Sequence, residues 1–293
     1  MNFRLTCASA SAAVLALAAA SCARFVTPSH ALATPWALVW SDEFDGPAGA
    51  PPDSLVWSYQ TGNGCREGIC GWGNQEKQSY TTDPANVALD GHGHLAIVAR
   101  RAIPGLACRS GPCRYTSGRL ITQRARLAQP GRVEARIVIP QGQGLWPAFW
   151  MLGASDPVAP WPQRGELDIM ENHGSAPQAT SSAIHGPGYS GRTPFAKSVH
   201  LADSASFAAG FHLFAVEWDA AGVRFSVDNQ PHYTVTRREV EQRGVWVFEQ
   251  PFAILLNLAV GGTFDGDPRS EDILPATMLV DYVRVYIARA QPD

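Results

Sequence analysis

Proline and glycine punctuate this chain from end to end and leave little room for helices. There are 22 Pro and 27 Gly in 293 residues, so few windows are long enough for a 3.6-residue apolar repeat. Residues 236–243 alone suggest one or two helical turns. Between the other breakers the pattern is that of strands. Residues 95–99 form a short apolar run after the turn Asp90-Gly91-His92-Gly93. Residues 133–139 alternate, with Val133, Ala135, Ile137 and Ile139 on one face. Residues 213–218 and 223–227 flank Asp219-Ala220-Ala221-Gly222 as a hairpin would. Residues 252–260 suit a buried strand, and 278–287 alternate with Leu279, Asp281, Val283, Val285 and Ile287 facing one way. Hydrophobic residues make up 45% of the chain, enough for a sizeable core. The expectation is an all-β fold: a two-sheet antiparallel β-sandwich of jelly-roll type, with a concave cleft on one sheet.

The N-terminus resembles an export signal. Arg4 precedes an apolar stretch at 12–20, and Ala31-Leu32-Ala33 offers a small-residue cleavage site. This predicts a signal peptide over 1–33 and a single domain over 34–293, secreted from the cell. Alternatively, Ala19-Ala20-Ser21-Cys22 resembles a lipoprotein signal, in which Cys22 would carry a lipid anchor. The remaining four cysteines fall into two close pairs, Cys65/Cys70 and Cys108/Cys113. Four cysteines allow three connectivities; local pairing in each Gly-rich loop is the simplest and suits an oxidising compartment. A net charge of −3 and the lack of a long basic run argue against a nucleic-acid partner or an anionic membrane surface. A monomer is expected.

The segment Glu166-Leu167-Asp168-Ile169-Met170-Glu171 carries the chemistry. On a helix, Glu166 and Glu171 would lie about 140° apart around the axis and share no face. On a strand, Glu166 and Asp168 share a face while Leu167 and Ile169 share the other. One extra residue, absorbed as a β-bulge near Ile169-Met170, returns Glu171 to the acidic face. Three carboxylates in a row repel and raise one another's pKa. A solvated edge would tolerate them, but Trp146, Trp150 and Trp161 lie close in sequence, and residues 145–152 are too apolar for an open edge. Aromatic faces beside paired carboxylates suit a sugar-binding cleft. Acetal cleavage needs one acid to protonate the leaving oxygen and a second carboxylate at the anomeric carbon. A separation of about 5–5.5 Å marks the retaining, double-displacement route. Asp168, between the two, could share a proton with Glu166 and tune Glu171.

These residues resemble glycoside hydrolase family 16, especially its laminarinase-like members, in which the pattern of Glu166, Asp168 and Glu171 is the active-site signature. Trp40-Ser41-Asp42-Glu43-Phe44, Trp72-Gly73-Asn74-Gln75-Glu76, Gly118-Arg119, Trp146-Pro147-Ala148-Phe149-Trp150, residues 257–262 and residues 281–286 follow in the family's order. The resemblance implies a concanavalin A-like fold and an endo-β-1,3-glucanase acting on β-glucan polysaccharide, with Glu166 as nucleophile and Glu171 as general acid/base. It also implies a cleft lined by Asn74, Arg119, Trp146, Trp150, Trp161 and His185. No cofactor is implied for catalysis. Many relatives hold one structural calcium, at positions that match Glu43, the carbonyl of Gly91 and Asp281. Phe264 stands where many relatives have Trp. Competing readings are a mixed-linkage glucanase, a galactanase-type hydrolase or a transglycosylase of the same family, or a non-catalytic β-glucan-binding protein. The last usually lacks one or both Glu residues, and both are present here.

Overall fold

The computed structural model describes residues 36–289, apart from 104–106, 109–110, 124–127, 157 and 203–204. The expected leader at 1–33, with Cys22, lies outside the described residues.

Two sheets account for most of the chain. A seven-stranded sheet runs in the order Phe195–His200, Ala179–His185, Glu166–Glu171, Leu145–Gly153, Phe252–Val260, Arg119–Thr122, Trp57–Tyr59. A ten-stranded sheet runs Gln230–Thr236, Gly222–Val227, His212–Trp218, Gly131–Val138, Ala276–Ala288, Leu95–Arg101, Tyr115–Ser117, Gln78–Tyr80. Trp36–Asp42 adds to it beside Ala276–Ala288, and Val87–Leu89 beside Leu95–Arg101. The strand pairs that build the cleft are antiparallel, whereas Gln78–Tyr80 and Tyr115–Ser117 run parallel. Nearly all-β content in two antiparallel sheets is the sandwich expected from the breaker pattern.

Alternation places the core between the sheets. Val133, Ala135 and Ile137 from one sheet and Phe149, Met151, Leu167, Ile254 and Leu256 from the other are all fully buried in a single cluster. Each such side chain contributes about 1.5–3 kcal/mol of burial. All nine residues of Phe252–Val260 are buried. Its even-numbered side chains belong to the core, and its odd-numbered ones lie beneath the cleft.

The short helix is Arg237–Glu241, started by a capping box in which Thr236 accepts from the Glu239 N–H and Glu239 accepts from the Thr236 N–H. The last strand differs from expectation. Arg136 pairs with Tyr282 and Ile137 with Val280, so Asp281 is an extra residue in a bulge. The side-chain phase therefore switches. Met278 and Val280 are buried before it, Val283 and Val285 after it, and Leu279 and Asp281 do not share a face with Val283. Strict alternation could not reveal a residue outside the ladder.

Candidate active site

One extra residue aims the acidic strand. Against Leu145–Gly153, Leu152 pairs with Glu166, Trp150 with Asp168, Phe149 with Met170 and Ala148 with Glu171, which leaves Ile169 unmatched. On the opposite side Asp168 pairs with Ala183 and Glu171 with Ser181, so Ile169 and Met170 together oppose Ser182. This is the bulge expected at Ile169-Met170. Glu166, Asp168 and Glu171 fall on one face, while Leu167, Ile169 and Met170 enter the core at 1% exposure or less. In a regular strand Glu171 would point into that core. Ala148, Ala183 and Ser181, all with short side chains, sit opposite the acids on the neighbouring strands.

The trio is electrostatically strained. Burial is the largest cause that pushes Glu166, Asp168 and Glu171 each up to about 8. The charge of Asp168 raises both glutamates further. His185 lowers both, Arg119 lowers Glu166, and the indole of Trp146 lowers Glu171. Three carboxyl groups that resist ionisation together hold at least one proton near neutrality.

The expected cleft residues surround them. His185, opposite Glu166 in register, places Nε2 3.1 Å from Asp168 Oδ2 and 3.9 Å from Glu166 Oε1. Trp146 Nε1–H donates to Glu171 Oε1 at 2.9 Å. Its ring stacks on Phe264 with centroids 4.4 Å apart, and His173 stacks on the far side of Phe264 at 3.9 Å. Trp161 stands at the rim, 48% exposed, with its ring 5.9 Å from that of His185. The Arg119 guanidinium lies over Trp72 at 4.3 Å and Trp150 at 4.9 Å, and its Nε donates to Gln60 at 2.6 Å.

A buried acid at the end of the segment 72–76 ties this wall together. Glu76 is 8% exposed and accepts from Asn74 Nδ2 (3.2 Å), Gln78 Nε2 (2.6 Å) and Tyr80 OH (3.3 Å). Tyr80 in turn accepts from Asn257 Nδ2 at 3.2 Å, and Asn257 Oδ1 accepts from Trp150 Nε1 at 2.7 Å. Asn257 is thereby a satisfied core amide. Burial raises Glu76, while Arg119 and the three donors pull it back down. Its three donors lie within four residues along the chain, and the distant Arg119 supplies the nearby positive charge. Gln60 and His173 carry no local signal.

The profile of the glycosyl hydrolases family 16 matches residues 73–284. The chain belongs to this family. It is 35% identical to a glucan endo-1,3-beta-glucosidase A1 of Niallia circulans over 89% of this chain and 39% of that protein. It is 37% identical to a beta-glucanase of Rhodothermus marinus over 86% of this chain and 85% of that protein. The chain thus spans well under half of the first relative and most of the second. The structure of an endo-beta-1,3-glucanase from Pyrococcus furiosus superposes with a TM-score of 0.82 at 41% identity, covering 87% of this chain and 96% of that one.

The family's structural calcium meets resistance here. Glu43 accepts from Arg284 Nε at 2.9 Å and Nη2 at 2.8 Å, and Asp281 accepts from Arg136 at 2.5 Å. Arg284 holds Glu43 below the usual carboxylate range. Each carboxylate already carries its own cation, so Glu43 and Asp281, with the Gly91 carbonyl, do not fit an oxygen cage as arranged. In the loop at Gly64, which precedes the segment matched by the family profile, Cys65 and Cys70 are joined by a disulfide with an S–S distance of 2.08 Å. Cys113 is also disulfide-bonded, while the side chain of Cys108 lies outside the described residues.

Proposed function

We propose that the protein is a secreted, retaining endo-β-1,3-glucanase, with Glu166 as nucleophile and Glu171 as general acid/base. The observation that carries the reading is the bulge that puts both glutamates and Asp168 on one small-residue floor between aromatic walls. In the first step Glu171 gives its proton to the glycosidic oxygen as the Glu166 carboxylate bonds to C1 and the leaving sugar departs. In the second, Glu171 takes a proton from water, whose oxygen bonds to C1 and releases Glu166. Arg119 lowers Glu166, which favours the ionised form at the nucleophile. Among the described residues the Glu171 carboxylate accepts only from the Trp146 indole at Oε1, which leaves its other oxygen to carry the proton it must donate.

Asp168 and His185 are placed to redistribute charge as that proton leaves and returns, since His185 Nε2 lies near both Asp168 and Glu166. The face of Trp146 turned away from Phe264 suits a sugar on the side of Glu171, where the leaving group sits. The Arg119–Trp150 wall suits the other side.

Azide separates the two roles. With azide, Glu171→Ala is expected to regain turnover on an activated aryl β-glycoside and give the β-glycosyl azide. Glu166→Ala is expected to give the α-azide. The reverse pairing, or no loss of laminarin hydrolysis in either variant, would overturn the assignment. Export follows from the expected leader and suits the Cys65–Cys70 disulfide. A secreted protein beginning at Thr34 supports it, and a lipid label at Cys22 would favour the anchored form. A single-chain mass by light scattering tests the expected monomer.

A further inference from the structure

A bulge leaves backbone groups that the ladder cannot pair, and buried ones must find other partners. Here the partners are consecutive hydroxyls. Thr180 Oγ1 and Ser181 Oγ donate to the Glu171 carbonyl at 3.0 and 3.3 Å, and Ser182 Oγ donates to the Ile169 carbonyl at 2.8 Å. Ser182 is fully buried, and Ile169 is the residue that has no partner across Leu145–Gly153.

Ser182 does not act alone. Its Oγ lies 3.1 Å from Nε2 of His232, in the Gln230–Thr236 strand of the other sheet. The direction of this chain follows from proton count. A carbonyl only accepts, so the single hydroxyl proton of Ser182 goes to Ile169. Its oxygen must then accept from His232 Nε2–H.

We propose that His232 and Ser182 are positioning residues for catalysis, a hydrogen-bond relay from the ten-stranded sheet that fixes the bulge and hence the aim of Glu171. The relay needs the His232 proton on Nε2, which is a choice of tautomer when the ring is neutral. Burial, with the nearby charge of Lys197, lowers His232 to about 4 and keeps it neutral over the working range. The relay passes under the carboxylates without touching them, so its effect on chemistry is through the backbone at Ile169-Met170. Losing the Ser182 hydroxyl orphans a buried carbonyl at the one place where the strand departs from regular pairing.

The inference rests on Glu171 being the acid, so the test compares two substrates. Laminarin has a poor leaving group and needs a well-aimed acid. A 2,4-dinitrophenyl β-glycoside of a β-1,3-linked disaccharide, assayed with azide, needs neither acid nor general base. Ser182→Ala and His232→Phe are expected to lower kcat on laminarin roughly ten-fold, part of the 10²–10⁴-fold an acid supplies. KM should stay within about two-fold, and the dinitrophenyl rate should be nearly unchanged. Ser182→Thr and His232→Gln keep a donor and are expected to recover most of the loss. The proposal is overturned if both substrates slow together, if neither slows, or if the donor-keeping variants are as impaired as the others. Should Ser182→Ala fail to fold, the His232→Phe and His232→Gln pair decides alone. If Glu171→Gln itself does not discriminate between the substrates, the acid assignment has failed instead.

Discussion

At the scale of single residues, the trio's shared protons are the quantity to probe. Trp146 donates to the charged form of Glu171 and so lowers its pKa. Trp146→Phe keeps a ring to stack on Phe264 and removes that bond. The basic limb of the kcat/KM profile, where the acid loses its proton, is expected to move to higher pH. Asp168 works with the opposite sign, since its charge raises both glutamates. Asp168→Asn should therefore move the basic limb to lower pH. Profiles shifted the other way, or unshifted, would contradict this electrostatic account.

Stability gives a second sign. An ordinary aspartate ionises near 4, whereas burial raises Asp168 to about 8. The folded state thus holds a proton that the unfolded chain releases, and the group destabilises the fold increasingly as pH climbs through that interval. Asp168→Asn should melt above the parent protein at pH 9 and converge with it at pH 4. Each kcal/mol corresponds to about 2–4 °C for a domain of this size. A constant offset across pH would contradict the raised carboxyl.

At the scale of elements, the acidic strand was legible because three carboxylates demanded one face, and only a bulge could supply it. The Asp281 bulge was not, because Leu279-Val280-Asp281-Tyr282-Val283 offers an equally good unbroken alternation. The difference is that a charged row signals its own misalignment, and a single acid does not. Glu76 lies in the segment 72–76 that the resemblance marked, but its role did not show there. Arg119, which offsets its charge, and Asn257, which extends its network through Tyr80, lie far along the chain. Glu76→Ala leaves Asn74, Gln78 and Tyr80 without their acceptor, at about 1–3 kcal/mol for a buried unsatisfied donor. Denaturant unfolding should show a loss of at least about 2 kcal/mol, together with a raised KM from a displaced Asn74. A variant with wild-type stability would contradict the role of Glu76 as a hub.

At the scale of the whole molecule, the breaker pattern predicted the sandwich and the family resemblance predicted the cleft. Neither predicted how the two sheets cooperate. The seven-stranded sheet presents the chemistry, but the His232 contact that reaches its bulge comes from the ten-stranded one. The calcium expectation rested on positions matched to the family, and the arginines that occupy Glu43 and Asp281 come from elsewhere in sequence or in register. Pairing across long separations decides such details, and no local motif encodes it. The proposed mechanism requires the entire fold to deliver two carboxyl groups close enough for a covalent sugar intermediate. The most direct check is proton NMR of the reducing end first formed from laminarin, recorded before mutarotation. The β-anomer is predicted. The α-anomer would mean single displacement by water, and would contradict the placement of Glu166 as nucleophile.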